Sequence, residues 1–590
     1  MQHSCFNRFK KILILYAVLI MFCSQALAGI FFVSTEGSDG NDGSLSSPWR
    51  TVIHAWRNSG GGDTVYVRGG TYIESQMWLR GGGGSNNQFW TLKAYPGETP
   101  IFTNARLLPD DDYIRIQGLH LTGSSYAKVV SYSEGIHEHI EILDNVFTGA
   151  SPALYYICNN GLVQGNTVNL TNAGSHGLYI MHGSNNIIRN NYVRGALKYG
   201  IHIYDEEKYP SEGSVSIKNL LVENNTVVGS VRSSGFIISG GDGSKPPIDI
   251  DGVVIRNNVT INNAANGIRI AFQGHIRNVD IFNNVIYGNE RSGISITASD
   301  VDDITIKNNI FSSNKRAQIE ISSSLNNLVV SHNLYYQPES DGNGVTDVNP
   351  VFGNPLFVNV DEADFHLQEN SPAIDAGTDV GLPYTGAAQD IGAFEYSPTV
   401  SVELSTFEAS VKGNTVRLNW QTTSETNNFG FEVERSSREG VCNKIGFVKG
   451  QGTTTSAKVY GFVDENLETG RYYYRLKQID LDGSFRYFRQ IEVVVKVPDQ
   501  FNLQQNYPNP FNPKTKIKFS LQSNAFVDLS IINSLGQRIA TLIRGYQSLG
   551  WKTVNWEGVD DNGMRIPSGI YFYCLTSKQY SSTRKMVLLQ

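Results

Sequence analysis

Tyr155, Tyr179, His202, Ile237, Arg269, Ser295 and Glu320 occupy the same place in successive short strands. In strands such as Gly200-Ile201-His202-Ile203 and Gly267-Ile268-Arg269-Ile270 the second and fourth residues are apolar. Those two turn inward, which sends the third outward. The column begins with two tyrosines and a histidine and reaches an arginine. With neighbouring strands about 4.8 Å apart, Tyr155 to Arg269 covers about 19 Å, the reach of roughly four sugar units. Eliminating across a uronic acid requires a neutralised carboxylate, a base for the adjacent proton and a donor for the leaving oxygen. Arg269 suits the first role, His202 the second and Tyr179 the third. Tyr155, Tyr204, Glu320 and Lys208 are candidate substrate contacts, with His176 and His182 as reserve imidazoles.

Beside this column the repeat lengthens twice. One insertion carries Asp205, Glu206, Glu207 and Lys208; the next carries Asp242, Lys245, Asp249 and Asp251. Loops on a rigid scaffold concentrate binding residues, and both insertions follow the same strand, so they are expected to stack as one wall beside His202. Asp205, Glu206 and Glu207 are candidate Ca2+ ligands, although adjacency in sequence does not by itself make ligands converge. Hydrolysis would instead need paired carboxylates, and Asp302-Asp303 is the pair just ahead of a repeat strand. The plain alternative is a solvated face on a non-catalytic, glycan-binding or adhesive surface protein.

The elements that must position these residues come from a repeat. Ile142-Leu143-Asp144-Asn145, Val163-Gln164-Gly165-Asn166, Ile188-Arg189-Asn190-Asn191 and Val222-Glu223-Asn224-Asn225 share one pattern. It continues through Asn258, Asn284, Asn309 and Asn333. A glycine-led strand lies between most copies. Short strands at this period make one coil each of a β-solenoid. The asparagines are scaffold: they tolerate a left-handed turn and stack amide on amide from coil to coil. Abundant glycine (58 residues) and low charge (17%) suit the same all-β reading.

Arg8, Lys10 and Lys11 lead into an apolar run from Ile12 to Phe22 and then Ala26-Leu27-Ala28, the pattern of a secretory leader over residues 1–28. No second stretch of spanning length follows, so no transmembrane segment is expected after leader removal. The net charge of −7 becomes more negative without the basic leader. An acidic chain with no basic run argues against nucleic acid or an anionic membrane as partner. Cys158, Cys442 and Cys574 lie in different expected domains and outline neither a disulfide framework nor a zinc site.

Three resemblances organise the chain. Gly37-Ser38-Asp39-Gly40-Asn41-Asp42-Gly43-Ser44, Pro48-Trp49-Arg50-Thr51-Val52 and Gly62-Asp63-Thr64-Val65-Tyr66-Val67 resemble the first coil of secreted bacterial right-handed parallel β-helix proteins of the pectate-lyase type. Ser371-Pro372-Ala373-Ile374-Asp375-Ala376-Gly377 and Asp390-Ile391-Gly392-Ala393-Phe394-Glu395 resemble their exit, framing residues 29–397. That group includes lyases, epimerases and hydrolases. The hydrolases carry Gly-His-Gly where this chain has Ser175-His176-Gly177, which favours the lyase. Residues 400–497, with alternating Val416-Arg417-Leu418-Asn419-Trp420, are similar to fibronectin-type β-sandwich linkers; Asp480 and Asp482 there read as a turn rather than a calcium site. Residues 503–590, with Gln505-Asn506-Tyr507-Pro508-Asn509-Pro510 and a Lys585-Met586-Val587-Leu588 end, resemble the C-terminal sorting domain of type IX secretion. The resemblance implies that the secretion machinery is a partner, and that export runs by Sec and then across an outer membrane. Together these features imply a β-helix followed by two small β-sandwiches that acts on or binds polysaccharide.

Overall fold

The computed structural model describes residues 28–590 except 97, 124–127, 132–135, 150–151, 172–175, 205–216, 241–248, 273, 323–324, 338–344, 397–403, 437–441, 455, 466, 468, 481–484, 498–499, 579 and 590. The leader therefore lies outside the described residues. The chain divides into two compact units at Tyr396/Ser397.

The first unit is a right-handed parallel β-helix with three faces. Strands such as Leu154–Asn159, Leu178–Ser184, Ile201–Tyr204, Phe236–Ser239 and Ile268–Ala271 stack in parallel as the first sheet. Strands such as Ile187–Arg189, Ile217–Glu223 and Asp249–Arg256 form the second. Leu178–Ser184 rounds the corner between them and pairs on both sides. The third is a 12-stranded parallel sheet ending in Leu334–Tyr336 and Val351–Phe352. Alternation explains the interior. Ile142, Val163, Ile188, Val222, Ile255, Ile281 and Ile306 are fully buried in one column, each worth about 1.5–3 kcal/mol of burial.

The asparagine ladder runs at the turn from the second sheet to the third. Nδ2 of each asparagine donates to Oδ1 of the next, from Asn145 through Asn166, Asn191, Asn225, Asn258, Asn284 and Asn309 to Asn333, at 2.9–3.2 Å. One detail differs from expectation. The left-handed residue is the one before the ladder, with φ near +55° at Asn190, Asn224, Asn257, Asn283 and Asn308. Position one thus takes the turn and position two makes the ladder. The leading glycines answer to crowding instead: a Cβ on Gly200 would stand 2.2 Å from Val227 Cγ1.

Both ends of the solenoid are closed. A short helix, Val52–Arg57, buries Val52, Ala55 and Trp56 at the start, and Trp56 meets Trp90 edge to face at 4.7 Å. Asp39 accepts from the Thr51 hydroxyl and from the Arg50 and Thr51 amides, so the opening motif is a helix clamp. At the exit, Phe365, Leu367, Ala373, Ile391 and Ala393 pack on the outer side of the third sheet against Val259, Val285, Ile310 and Leu334. Asp375, Asp390 and Glu395 each accept backbone amides there.

The second unit holds two antiparallel β-sandwich cores. Residues 404–495 pair as a three-stranded and a five-stranded sheet around buried Trp420, Phe431 and Tyr474. Residues 502–588 form an eight-stranded sheet around Ile517, Leu529, Tyr573 and Met586. The Asn506 side chain donates to Thr515 Oγ1 and the Pro508 carbonyl. Asn509 Oδ1 accepts from the Val587 amide, so the two ends of the tail motif meet. Among the described residues no helix is long and apolar enough to cross a membrane. Cys158, Cys442 and Cys574 are free thiols.

Candidate functional site

Register places Val130, Tyr155, Tyr179, His202, Ile237, Arg269, Ser295 and Glu320 in one line across the first sheet. The column exists, but its middle is not open. His202 is 7% exposed and Ile237 fully buried. An outward direction from the coil therefore does not make His202 solvent-facing.

His202 stacks flat on Tyr179, with ring centroids 4.5 Å apart and planes 2° from parallel. His176 approaches to 4.6 Å, Tyr199 to 4.9 Å and Tyr204 to 5.1 Å. Tyr155 meets Tyr179 edge to face at 5.3 Å, continuing the aromatic run by one coil. Nε2 of His202 is 3.1 Å from Ser239 Oγ, while Nδ1 of His202 and Nδ1 of His176 are buried without a hydrogen bond to any described residue. Burial, and after it the neighbouring His176 and Lys198, holds the His202 pKa well below its ordinary value. Burial brings His176 down to about 3. Both rings are neutral near pH 7 and weakly basic. A general base works best with a pKa near the operating pH, so His202 is poorly suited to abstract a proton.

Arg269 lies two strands from His202, about 10 Å away, with Ile237 between them. Its guanidinium sits 5.3 Å from the Phe272 ring and makes no ion pair with any described residue. Glu320, by contrast, is committed: Arg316 pairs with it at 2.7 Å and the Ser292 hydroxyl donates to it at 2.7 Å. It is therefore not a free substrate contact. Tyr179, Tyr204 and Tyr155 remain half-buried rungs.

Asp205, Glu206, Glu207 and Lys208 lie outside the described residues, as do Asp242 and Lys245. Asp249 and Asp251 do not join a wall beside His202. They sit on the second sheet and clamp Arg277 at 2.7 and 3.0 Å. Asp302 and Asp303 accept from Asn326 and Asn327 of the next coil, which makes them rungs rather than a catalytic pair. His182 is buried within its strand.

Two features escaped the sequence reading. The Tyr199 ring joins the His202 cluster from the turn entering its strand, beside the reserve imidazole His176; the glycine-led strand pattern does not include it. Lys128 is 1% exposed at the entry to Val129–Ser131, and burial draws its pKa down to about 8. Both are packing effects with no local motif.

Residues 31–223 match the family model of the Pel9A-like, right handed beta helix region. That stretch, the first part of the solenoid, is similar to the Pel9A-like family. The match contains Lys128, Tyr155, Tyr179 and His202, and ends before Arg269. Residues 505–589 match the secretion system C-terminal sorting domain, so the protein is exported by the type IX route to the cell surface or beyond, with the secretion machinery as a partner. The uncharacterized protein YwoF of Bacillus subtilis is 24% identical over 382 residues, 58% of this chain and 73% of its own length. Pectate lyase PEL9 of Emericella nidulans is 32% identical over 81 residues, 14% of this chain and a fifth (20%) of that enzyme. Among solved structures, pectate lyase Pel9A aligns at a TM-score of 0.47 and 16% identity, covering 63% of this chain and 98% of its own.

Proposed function

We propose that this exported β-helix acts on an acidic polysaccharide, with elimination at uronic units as its reaction class. The observation that carries the reading is Arg269: an outward guanidinium without an ionic partner among the described residues, in line with the Tyr155–Tyr179–His202 stack. A guanidinium receives a carboxylate through two parallel hydrogen bonds, and the aromatic stack offers faces to neighbouring sugar rings. The Pel9A-like match and the similarity to PEL9 support the substrate class. Arg269 neutralises the carboxylate and Tyr179 donates to the leaving oxygen. His202, neutral and stacked, orients Tyr179; the proton beside the carboxylate passes to a water molecule at the face, and solvent restores the proton that Tyr179 gives to the leaving oxygen. A calcium ion held by Asp205, Glu206 and Glu207 would share the neutralisation.

The test is to incubate the full chain with polygalacturonate and with alginate, following ultraviolet absorbance of the unsaturated product, with and without a calcium chelator. Product formation lost in Arg269→Lys supports the reading. No product from either polymer, with acidic-glycan binding intact, moves the function to the second reading, a non-catalytic glycan binder. The low basicity and burial of His202 favour that alternative.

A further inference from the structure

Away from the first sheet, a cleft of about 430 Å³ opens between the third sheet and the exit segment. Its floor is built by register. Tyr287, Ser312 and Tyr336 stand opposite one another on three successive coils. Ser312, 2% exposed, closes the floor between the two tyrosines, whose strands lie about 10 Å apart across two strand spacings. Phe357 makes the facing wall, 6.3 Å from Tyr287 and nearly perpendicular to it. Gln368, which also lines the cleft, holds that wall: its Nε2 donates to the Phe357 carbonyl at 2.7 Å. Gln337 stands at the rim and donates to the Tyr336 hydroxyl at 3.0 Å.

None of the residues lining the cleft is charged. Among the described residues it therefore has no cation for a uronate, phosphate or sulfate and no anion for an amine. What it offers is aromatic surface together with amide and hydroxyl groups. A pyranose asks for that combination, with C–H bonds on its faces and hydroxyls at its rim. The volume falls within the range of small-molecule sites.

We propose that this cleft binds an uncharged sugar unit of a polysaccharide, separately from the acidic-glycan face that carries Arg269. The ring lies above the floor that Ser312 closes, Tyr287, Tyr336 and Phe357 cover its faces, and Gln337 bonds its hydroxyls. The proposal does not rest on catalysis at the first sheet.

Calorimetric titration of the full chain with linear hexasaccharides of xylose, mannose, glucose and galactose, and with hexagalacturonate, tests it. At least one neutral hexasaccharide is expected to bind. Ser312→Phe, which disrupts that floor, should weaken it by about tenfold or more, and Arg269→Lys should leave it unchanged. Gln337 is exposed, so Gln337→Ala keeps the fold and should weaken binding severalfold even if the Ser312 variant misfolds. The proposal is overturned if none of the four neutral sugars binds, or if binding is unchanged in folded Ser312→Phe or in Gln337→Ala. Failure of hexagalacturonate alone strikes the acidic-polysaccharide reading and leaves this one standing.

Discussion

His202 and Tyr179 lie ring on ring, 4.5 Å apart and 2° from parallel, on adjacent coils of the first sheet. The imidazole thereby serves as a packed aromatic rung as well as a polar group. His202→Ala should cost about 2–4 kcal/mol of stability, the range for truncating a buried ring. His202→Phe should recover most of that loss. Chemical denaturation of both variants checks this, and equal stability of His202→Ala and wild type would refute the packing role.

Acid should loosen the same cluster. His176 and His202 are neutral in the fold, with pKa values held below their unfolded value. The unfolded chain therefore binds more protons as pH falls, and stability is lost from about pH 6.5 downward, by at most about 1.4 kcal/mol per pH unit for each histidine. Glu395 works with the opposite sign. Burial, with Asp390 nearby, raises its pKa to about 7, so its contribution is present at low pH and is lost as pH rises through 7. Thermal unfolding across pH 4–9 should show a shallower acid loss in His202→Phe and, in Glu395→Gln, the removal of a stability decline that runs from about pH 4.5 to about 7.

The amide ladder makes a third prediction. Replacing Asn258 or Asn284 by leucine leaves the preceding Asn225 or Asn258 donor and a backbone carbonyl unpaired inside the turn. Each change should cost about 1–3 kcal/mol. Unchanged thermal unfolding in both variants would count against the ladder as a stabilising device.

Export gives the fourth. Residues 503–590 form their own core, so deleting them should leave the β-helix folded but retained in the periplasm. Immunoblotting of cell fractions reads the outcome, and normal appearance of the truncated protein outside the cell would contradict it.

The sequence was most readable where one residue type repeats for one physical reason. The Asn145-to-Asn333 ladder and the Tyr155-to-Glu320 column both follow from strand alternation and coil length, and register confirms each. Exposure was not readable in that way. Alternation fixes which way His202 points from its own coil, but the Tyr199 and Tyr204 rings that pack around it come from positions the repeat does not set. Nor does a strand pattern say whether a charge is already paired: Arg269 and Glu320 share one column, and among the described residues only Glu320 has an ionic partner. The neutral cleft was hidden for a related reason, since its walls come from Tyr287 and Phe357, which only the folding back of the exit segment brings together.

Every rung of the asparagine ladder donates toward the C-terminal end, and the last, Asn333, donates to Asp347 at 2.8 Å. The array is therefore vectorial, a line of side-chain dipoles with distinguishable ends. Each added coil inherits a waiting donor, and the series closes at a group that accepts without passing a donor on. An ionised carboxylate does that; another amide would not. Asp347 is where that hydrogen-bond polarity terminates, one strand before Val351–Phe352 completes the third sheet.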